Sequence, residues 1–96
     1  MPKGYLVSIY SAIHDQDKLV AYAALARPAL EAFGGQFIIR GMPAKVKENG
    51  IMSRTVVCEF PSLDAAISAV ESPAYQEAVA VLDGGADRDM RIVEGV

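Results

Sequence analysis

One cation stands apart from the other reactive side chains of this 96-residue chain. Arg40 closes the apolar run Phe37-Ile38-Ile39 and is followed by Gly41-Met42-Pro43. A guanidinium presents five donors in a planar fork that matches a carboxylate. At the end of a strand it is either the anchor of an anionic ligand or half of a structural ion pair, for which Glu59 on a neighbouring strand is the natural partner. His14 is the only histidine, at the end of a first strand. Its imidazole suits a general base near neutral pH, or else an exposed loop residue packing on a helix start. Tyr10, Tyr22 and Tyr75 fit the wall of a pocket that orients a small aromatic or carboxylated molecule, or equally the amphipathic edge of a core. Glu59 alternates with Cys58 and Phe60. It reads as an inward carboxylate of a barrel or as a sheet-face pair with Arg54 or Arg91.

Other chemistries lack their residues. There is no His-x-x-x-His or Cys-x-x-Cys pair, and Asp15 and Asp17 are explained by helix capping, so no metal site is expected. Cys58 is the sole cysteine, which rules out an intrachain disulfide and fits a reducing cytoplasm. It shares a strand face with Val56 and Phe60 and reads as a small buried hydrophobe. Ser62 is a helix cap without a Gly-x-Ser-x-Gly elbow around it. Gly34-Gly35 ends a helix instead of opening one, and no phosphate-loop lysine accompanies it. Asp87-Arg88-Asp89 reads as a solvated turn. A net charge of −3 offers no basic footprint for nucleic acid. No apolar run approaches the roughly 20 residues of a membrane span, and the start Met1-Pro2-Lys3-Gly4 lacks the apolar core of a signal peptide. Neither a membrane partner nor a cofactor is expected.

These side chains need elements to hold them. Hydrophobic residues make up 52% of the chain and charged ones 22%, the balance of a folded protein, and the length allows one domain over 1–96. Tyr5 to Tyr10 reads as a strand with Leu6, Ser8 and Tyr10 on one face. Asp15 caps a helix predicted from Gln16 to Phe33, with Leu19, Tyr22, Ala23, Ala26, Leu30 and Phe33 at helical spacing. Pro28 lies inside it and predicts a kink near Ala24 to Arg27. Gly34-Gly35 supplies the left-handed exit. Phe37-Ile38-Ile39 then suits a strand buried on both faces. Asn49-Gly50 is a hairpin signal of the type I′ kind, with pairing extended over Ala44 to Lys47. A third strand covers Arg54 to Phe60. Ser62 caps a helix, Ser72-Pro73 restarts it as a second piece over Ala74 to Leu82, and Arg91 to Glu94 is a last strand.

The order β-α-β-β-α-β is the split βαβ pattern of ferredoxin-like α+β folds, an antiparallel four-stranded sheet with helices on one face. One helical layer leaves the second apolar face of the sheet bare. Several hundred Å² of uncovered apolar surface is unusual for a monomer, so the pattern predicts a homodimer packed sheet to sheet.

Several stretches resemble one family: Lys3-Gly4-Tyr5, the Gly-Gly-x-Phe-x-x-Arg-Gly corner, Glu59-Phe60-Pro61-Ser62, Ser72-Pro73-x-Tyr75 and Val93-Glu94-Gly95. In this order they are similar to a family of small bacterial proteins known as domain of unknown function thirteen-thirty. The resemblance implies the dimeric α+β barrel fold, a superfamily with cofactor-free monooxygenases and muconolactone-isomerase-like enzymes, and it implies no activity of its own. Arg40 and Tyr75 match the family pattern and carry over as candidate pocket residues. The family's glycine pair after the arginine is Gly41-Met42 here, and Val70-Glu71 stands where relatives often place an aromatic. From residues and resemblance together the expected function is binding of a small carboxylated or aromatic molecule, with cofactor-free acid–base chemistry or as a non-enzymatic metabolite-binding or regulatory module.

Overall fold

The computed structural model describes residues 2–96. Its elements are β1 (Gly4–Ile13), α1 (Gln16–Glu31), β2 (Gln36–Gly41), β3 (Thr55–Phe60), α2 (Leu63–Glu71), α3 (Pro73–Leu82) and β4 (Ala86–Glu94). The strands form one antiparallel sheet in the order β2-β3-β1-β4. This is the expected ferredoxin-like α+β topology, with the second crossover split into two helices at Ser72-Pro73.

Local chemistry explains the helix boundaries. The Asp15 carboxylate accepts from the Lys18 N–H at 3.1 Å and starts α1. The helix continues through Pro28 and stops at Glu31, short of the predicted Phe33. Gly34, at φ +83°, turns the chain, and its N–H reaches back to the Glu31 carbonyl at 2.9 Å. Gly35 is needed for a different reason. A Cβ there would stand 2.8 Å from the Leu30 carbonyl oxygen and 2.9 Å from the Phe60 ring, so only a bare backbone lets helix and sheet meet. Ser62 and Ser72 cap α2 and α3, accepting from the N–H groups of Ala65 and Tyr75. Asp83 and Gly84, both left-handed, end α3.

The core lies between the helices and one face of the sheet. Leu6, Tyr10, Val56, Cys58 and Phe60 point into it from below, and Leu19, Tyr22, Leu30 and Tyr75 from above. Ala66, Ala69 and Ala78 are fully buried, and these short side chains let α2 and α3 sit close to the sheet. No described element covers the other sheet face. Ile39 and Val93 are about half exposed there, beside Val7, Ile9 and Val57. The expectation that Phe37-Ile38-Ile39 is buried on both faces is corrected within the single chain, because β2 is an edge strand with an open far face.

The Asn49-Gly50 hairpin is also corrected. β2 and β3 are joined by the irregular segment 42–54, without paired extensions over Ala44 to Lys47. A turn is present, closed by the Gly50 N–H on the Lys47 carbonyl at 2.9 Å, but its left-handed residue is Glu48. No helix among the described residues is long and apolar enough to cross a membrane.

Candidate functional site

A cavity of about 320 Å³ opens between α1 and the helix-facing side of the sheet. Short side chains leave this space: Ser8, Val56 and Cys58 stand below Ala23 and Ala26, where larger residues would close it. Leu6, Leu19 and Leu30 make the walls apolar. Arg27, Arg40 and Arg54 also line it, and no carboxylate or histidine does. This is an apolar recess with cationic groups, in the size range of small-molecule sites.

A β-bulge aims Arg40 into the recess. Phe37 pairs with Cys58, Ile39 with Val57 and Arg40 with Val56, so Ile38 is an extra residue in β2. Strict alternation would put Phe37 and Arg40 on opposite faces; one extra residue puts them on the same face. The Arg40 guanidinium then lies 5.3 Å from the Phe37 ring centroid. It makes no ion pair with a described residue. The alternative of an Arg40–Glu59 pair is thereby corrected: Glu59 points to the far sheet face, where it accepts from Lys3 at 3.0 Å and from the Tyr5 hydroxyl at 3.1 Å. Lys3 and Tyr5 also replace Arg54 and Arg91 as its expected partners, and the Lys3 hydrogen bond, ahead of Tyr5, holds its carboxyl below the usual range. Arg91 instead forks onto Asp89, with contacts of 3.1 and 3.2 Å. Arg54 has no carboxylate opposite it either, while Arg27 bonds Glu31 at 3.3 Å on the helix surface.

Behind the recess lies a buried phenol pair. The Tyr22 and Tyr75 hydroxyls are 2.7 Å apart, with their rings edge to face at 6.1 Å. Arg88 donates to the Tyr22 hydroxyl oxygen at 2.9 Å, and its guanidinium lies 4.6 Å from the Tyr22 ring centroid and 5.7 Å from that of Tyr10. Burial, reinforced by the neighbouring Tyr75 and opposed by Arg88, pushes the Tyr22 phenol well above its ordinary value. Burial likewise raises Tyr10, against the pull of Arg88 and Arg54. The Cys58 thiol is pushed up to about 11, mainly by burial and secondarily by Glu31. At neutral pH the recess therefore holds neutral phenols and a neutral thiol beside charged guanidinium groups.

Arg88 was not expected here. The reading of Asp87-Arg88-Asp89 as a solvated turn is corrected: β4 begins at Ala86, and Arg88 points inward while Asp87 and Asp89 point out. The signal was the alternation Ala86, Arg88, Met90, which continues the strand backward through the charged triplet.

The candidate residues thus fall into two groups. Arg40, Tyr10 and Tyr22 line the cavity and Tyr75 supports Tyr22 from behind. His14 lies outside, exposed at the end of β1, with its Nε2 2.9 Å from Asp87 Oδ2. Glu59 is on the opposite sheet face. Among the described residues no three His, Cys, Asp or Glu side chains converge in a way that would hold a metal ion.

Fold and recess define a small ferredoxin-like α+β protein with a pocket under its first helix. The chain belongs to the family described as domain of unknown function DUF1330, whose model matches residues 3–96. No curated protein matches it. Among solved structures it is similar to a protein of unknown function from Rhodopseudomonas palustris, at TM-score 0.75 and 16% identity over 99% of this chain and 83% of that one. It is also similar to SnoaB, a cofactor-independent oxygenase from Streptomyces nogalater, at TM-score 0.68 and 11% identity over 97% and 92%. A dimeric ferredoxin-like protein of unknown function from Jannaschia sp. CCS1 matches at TM-score 0.67 and 14% identity over 96% of both chains. At these identities the likeness is one of fold.

Proposed function

We propose that this protein is a homodimer that binds a small organic anion, an apolar or aromatic body bearing a carboxylate, in the recess under α1. One observation carries the reading: three arginines line a mainly apolar cavity of about 320 Å³ that no carboxylate lines. Arg54 is half-buried and Arg40 is exposed, and a guanidinium without a carboxylate partner is free to meet one on a ligand. Neither Arg40 nor Arg54 has a carboxylate partner among the described residues, and a ligand carboxylate would supply one to Arg40. The homodimer is supported by the open apolar sheet face and by the dimeric ferredoxin-like neighbour.

Between turnover and binding alone, the protonation states favour binding. Tyr10, Tyr22 and Cys58 are all held neutral, so the recess donates hydrogen bonds and does not abstract protons. His14, the one candidate base, stands outside it. A reaction at this site would have to rest on guanidinium stabilisation of a substrate anion, in the cofactor-free manner that the SnoaB likeness suggests. Native mass spectrometry of the dimer against a metabolite extract tests the reading. Retention of small carboxylates by the wild type and their loss in Arg40→Ala is expected. A wild type that retains only neutral compounds, or carboxylates that Arg40→Ala holds equally well, would overturn it. Turnover assays on each retained compound then separate enzyme from binding module.

A further inference from the structure

We infer that the recess has a second anchoring point, the Tyr10 hydroxyl, and that its ligand is a carboxylic acid carrying a second oxygen acceptor at the opposite end, in the class of hydroxy- or oxo-substituted aromatic acids. The inference rests on the carboxylate-binding reading above. It starts from the sheet register. Arg40 pairs with Val56, and Val56 pairs with Ser8, so these three side chains form one row across the helix-facing side. The next row holds Tyr10, paired with Arg88 on one side and bonded through its N–H to the Arg54 carbonyl at 2.9 Å on the other. Strands lie about 4.8 Å apart and residues two apart on a strand about 6.7 Å. Arg40 and Tyr10 are therefore separated by about two strand spacings and one step along the strand. Both side chains line the same cavity, and a substituted ring lying between them would meet one at each end.

The second observation is that two hydroxyls border the cavity. Tyr10 is 6% exposed and Ser8 is 5% exposed, and both line the cavity. The phenols of Tyr22 and Tyr75 are bonded to each other, whereas the Tyr10 phenol has the nearby Arg88 guanidinium, a donor, beside it. Arg88 lies near the Tyr10 ring and donates to the Tyr22 hydroxyl; being a donor only, it leaves the Tyr10 O–H proton for another acceptor. Tyr10 is left protonated, facing the cavity, with the Arg88 and Arg54 charges behind it. Such a group donates to a ligand oxygen and favours one that carries negative charge, because the two guanidinium groups add Coulombic attraction. A bare hydrocarbon end would accept from neither hydroxyl.

Titration calorimetry with benzoate, 4-hydroxybenzoate and 4-hydroxy-3-nitrobenzoate tests this on the full chain, with Tyr10→Phe as the variant. That substitution keeps the ring and removes one oxygen, so the core is preserved. Wild type should bind 4-hydroxybenzoate about tenfold more tightly than benzoate, and Tyr10→Phe should bring the two together. The nitrophenol probe should bind the wild type as its yellow phenolate, with the ionisation midpoint shifted to lower pH, and Tyr10→Phe should reduce that shift. Equal affinities for the first two probes in the wild type, or a preference that survives in Tyr10→Phe, would overturn the inference. If benzoate binds but the hydroxyl adds nothing, the carboxylate reading stands and this one falls. If 4-hydroxybenzoate binds through Tyr10 while Arg40→Ala leaves its affinity unchanged, the reverse holds.

Discussion

Arg40 and Arg54 differ from Lys3, Lys18, Arg27 and Arg91 in having no carboxylate opposite them. Arg40→Lys should therefore weaken carboxylate binding by about 10- to 150-fold, equivalent to roughly 1.5–3 kcal/mol, since a point charge replaces a bidentate fork. The melting temperature should hardly move. Because Glu59 faces away, thermal melts of Arg40→Ala, Glu59→Gln and the double mutant should be additive to within about 0.5 kcal/mol; a larger coupling would restore the ion-pair reading. Tyr22 gives a prediction of another kind. Tyr22→Phe removes the acceptor of Arg88 and the partner of Tyr75, and should destabilise the fold by about 1–3 kcal/mol. The Tyr22 phenol is raised in the folded state, so the native protein holds its proton more tightly than the unfolded chain does. That contribution is complete below about pH 10, the ordinary tyrosine value, and is lost as pH rises further. Urea melts should show wild-type stability falling above about pH 10, with a shallower fall in Tyr22→Phe.

The elements were legible in the sequence where a local rule fixes them. Asp15, Ser62 and Ser72 announced three helix starts, because a cap acts within three residues of itself. The alternation of Val56, Cys58 and Phe60 gave their shared face. Three features could not be read in the same way, and all involve partners distant in sequence. The bulge at Ile38 exists only in the pairing of β2 with β3, yet it decides which way Arg40 points. Arg88 is buried only because Tyr10 and Tyr22 receive it, so its own neighbours, Asp87 and Asp89, suggest a turn. The half-exposed far side of β2 follows from its place at the sheet edge, which composition does not reveal. The helix-to-strand corner was legible as glycine, but the two glycines have different duties. Gly34→Ala strains a left-handed residue at φ +83°. Gly35→Ala instead drives a Cβ into Leu30, Phe60 and Cys58 at 2.8–3.0 Å. Overpacking of this kind costs about 1–3 kcal/mol, and thermal melts of Gly35→Ala should show it.

At the scale of the whole molecule, the uncovered sheet face calls for a partner. Ile39 pairs with Val57 on that face, so Ile39→Asp would place an unpaired charge in a sheet-to-sheet interface. Sedimentation should give about twice the chain mass for the wild type at micromolar concentration and the single-chain mass for Ile39→Asp; a wild-type monomer would refute the homodimer. Charge is also unevenly distributed. Four of the five arginines lie in or behind one recess, while twelve carboxylates and only five other cations occupy the rest of the chain. An anion therefore meets a different protein according to its size. At about 0.1 M salt, charges more than about 10 Å apart are largely screened from one another. A molecule small enough to enter the recess feels the guanidinium groups within that distance. A polyanion too wide to enter extends over the acidic exterior and is repelled by it. On the proposed reading the concavity would thus act as a size filter for negative charge, admitting the small ion and turning away the chain.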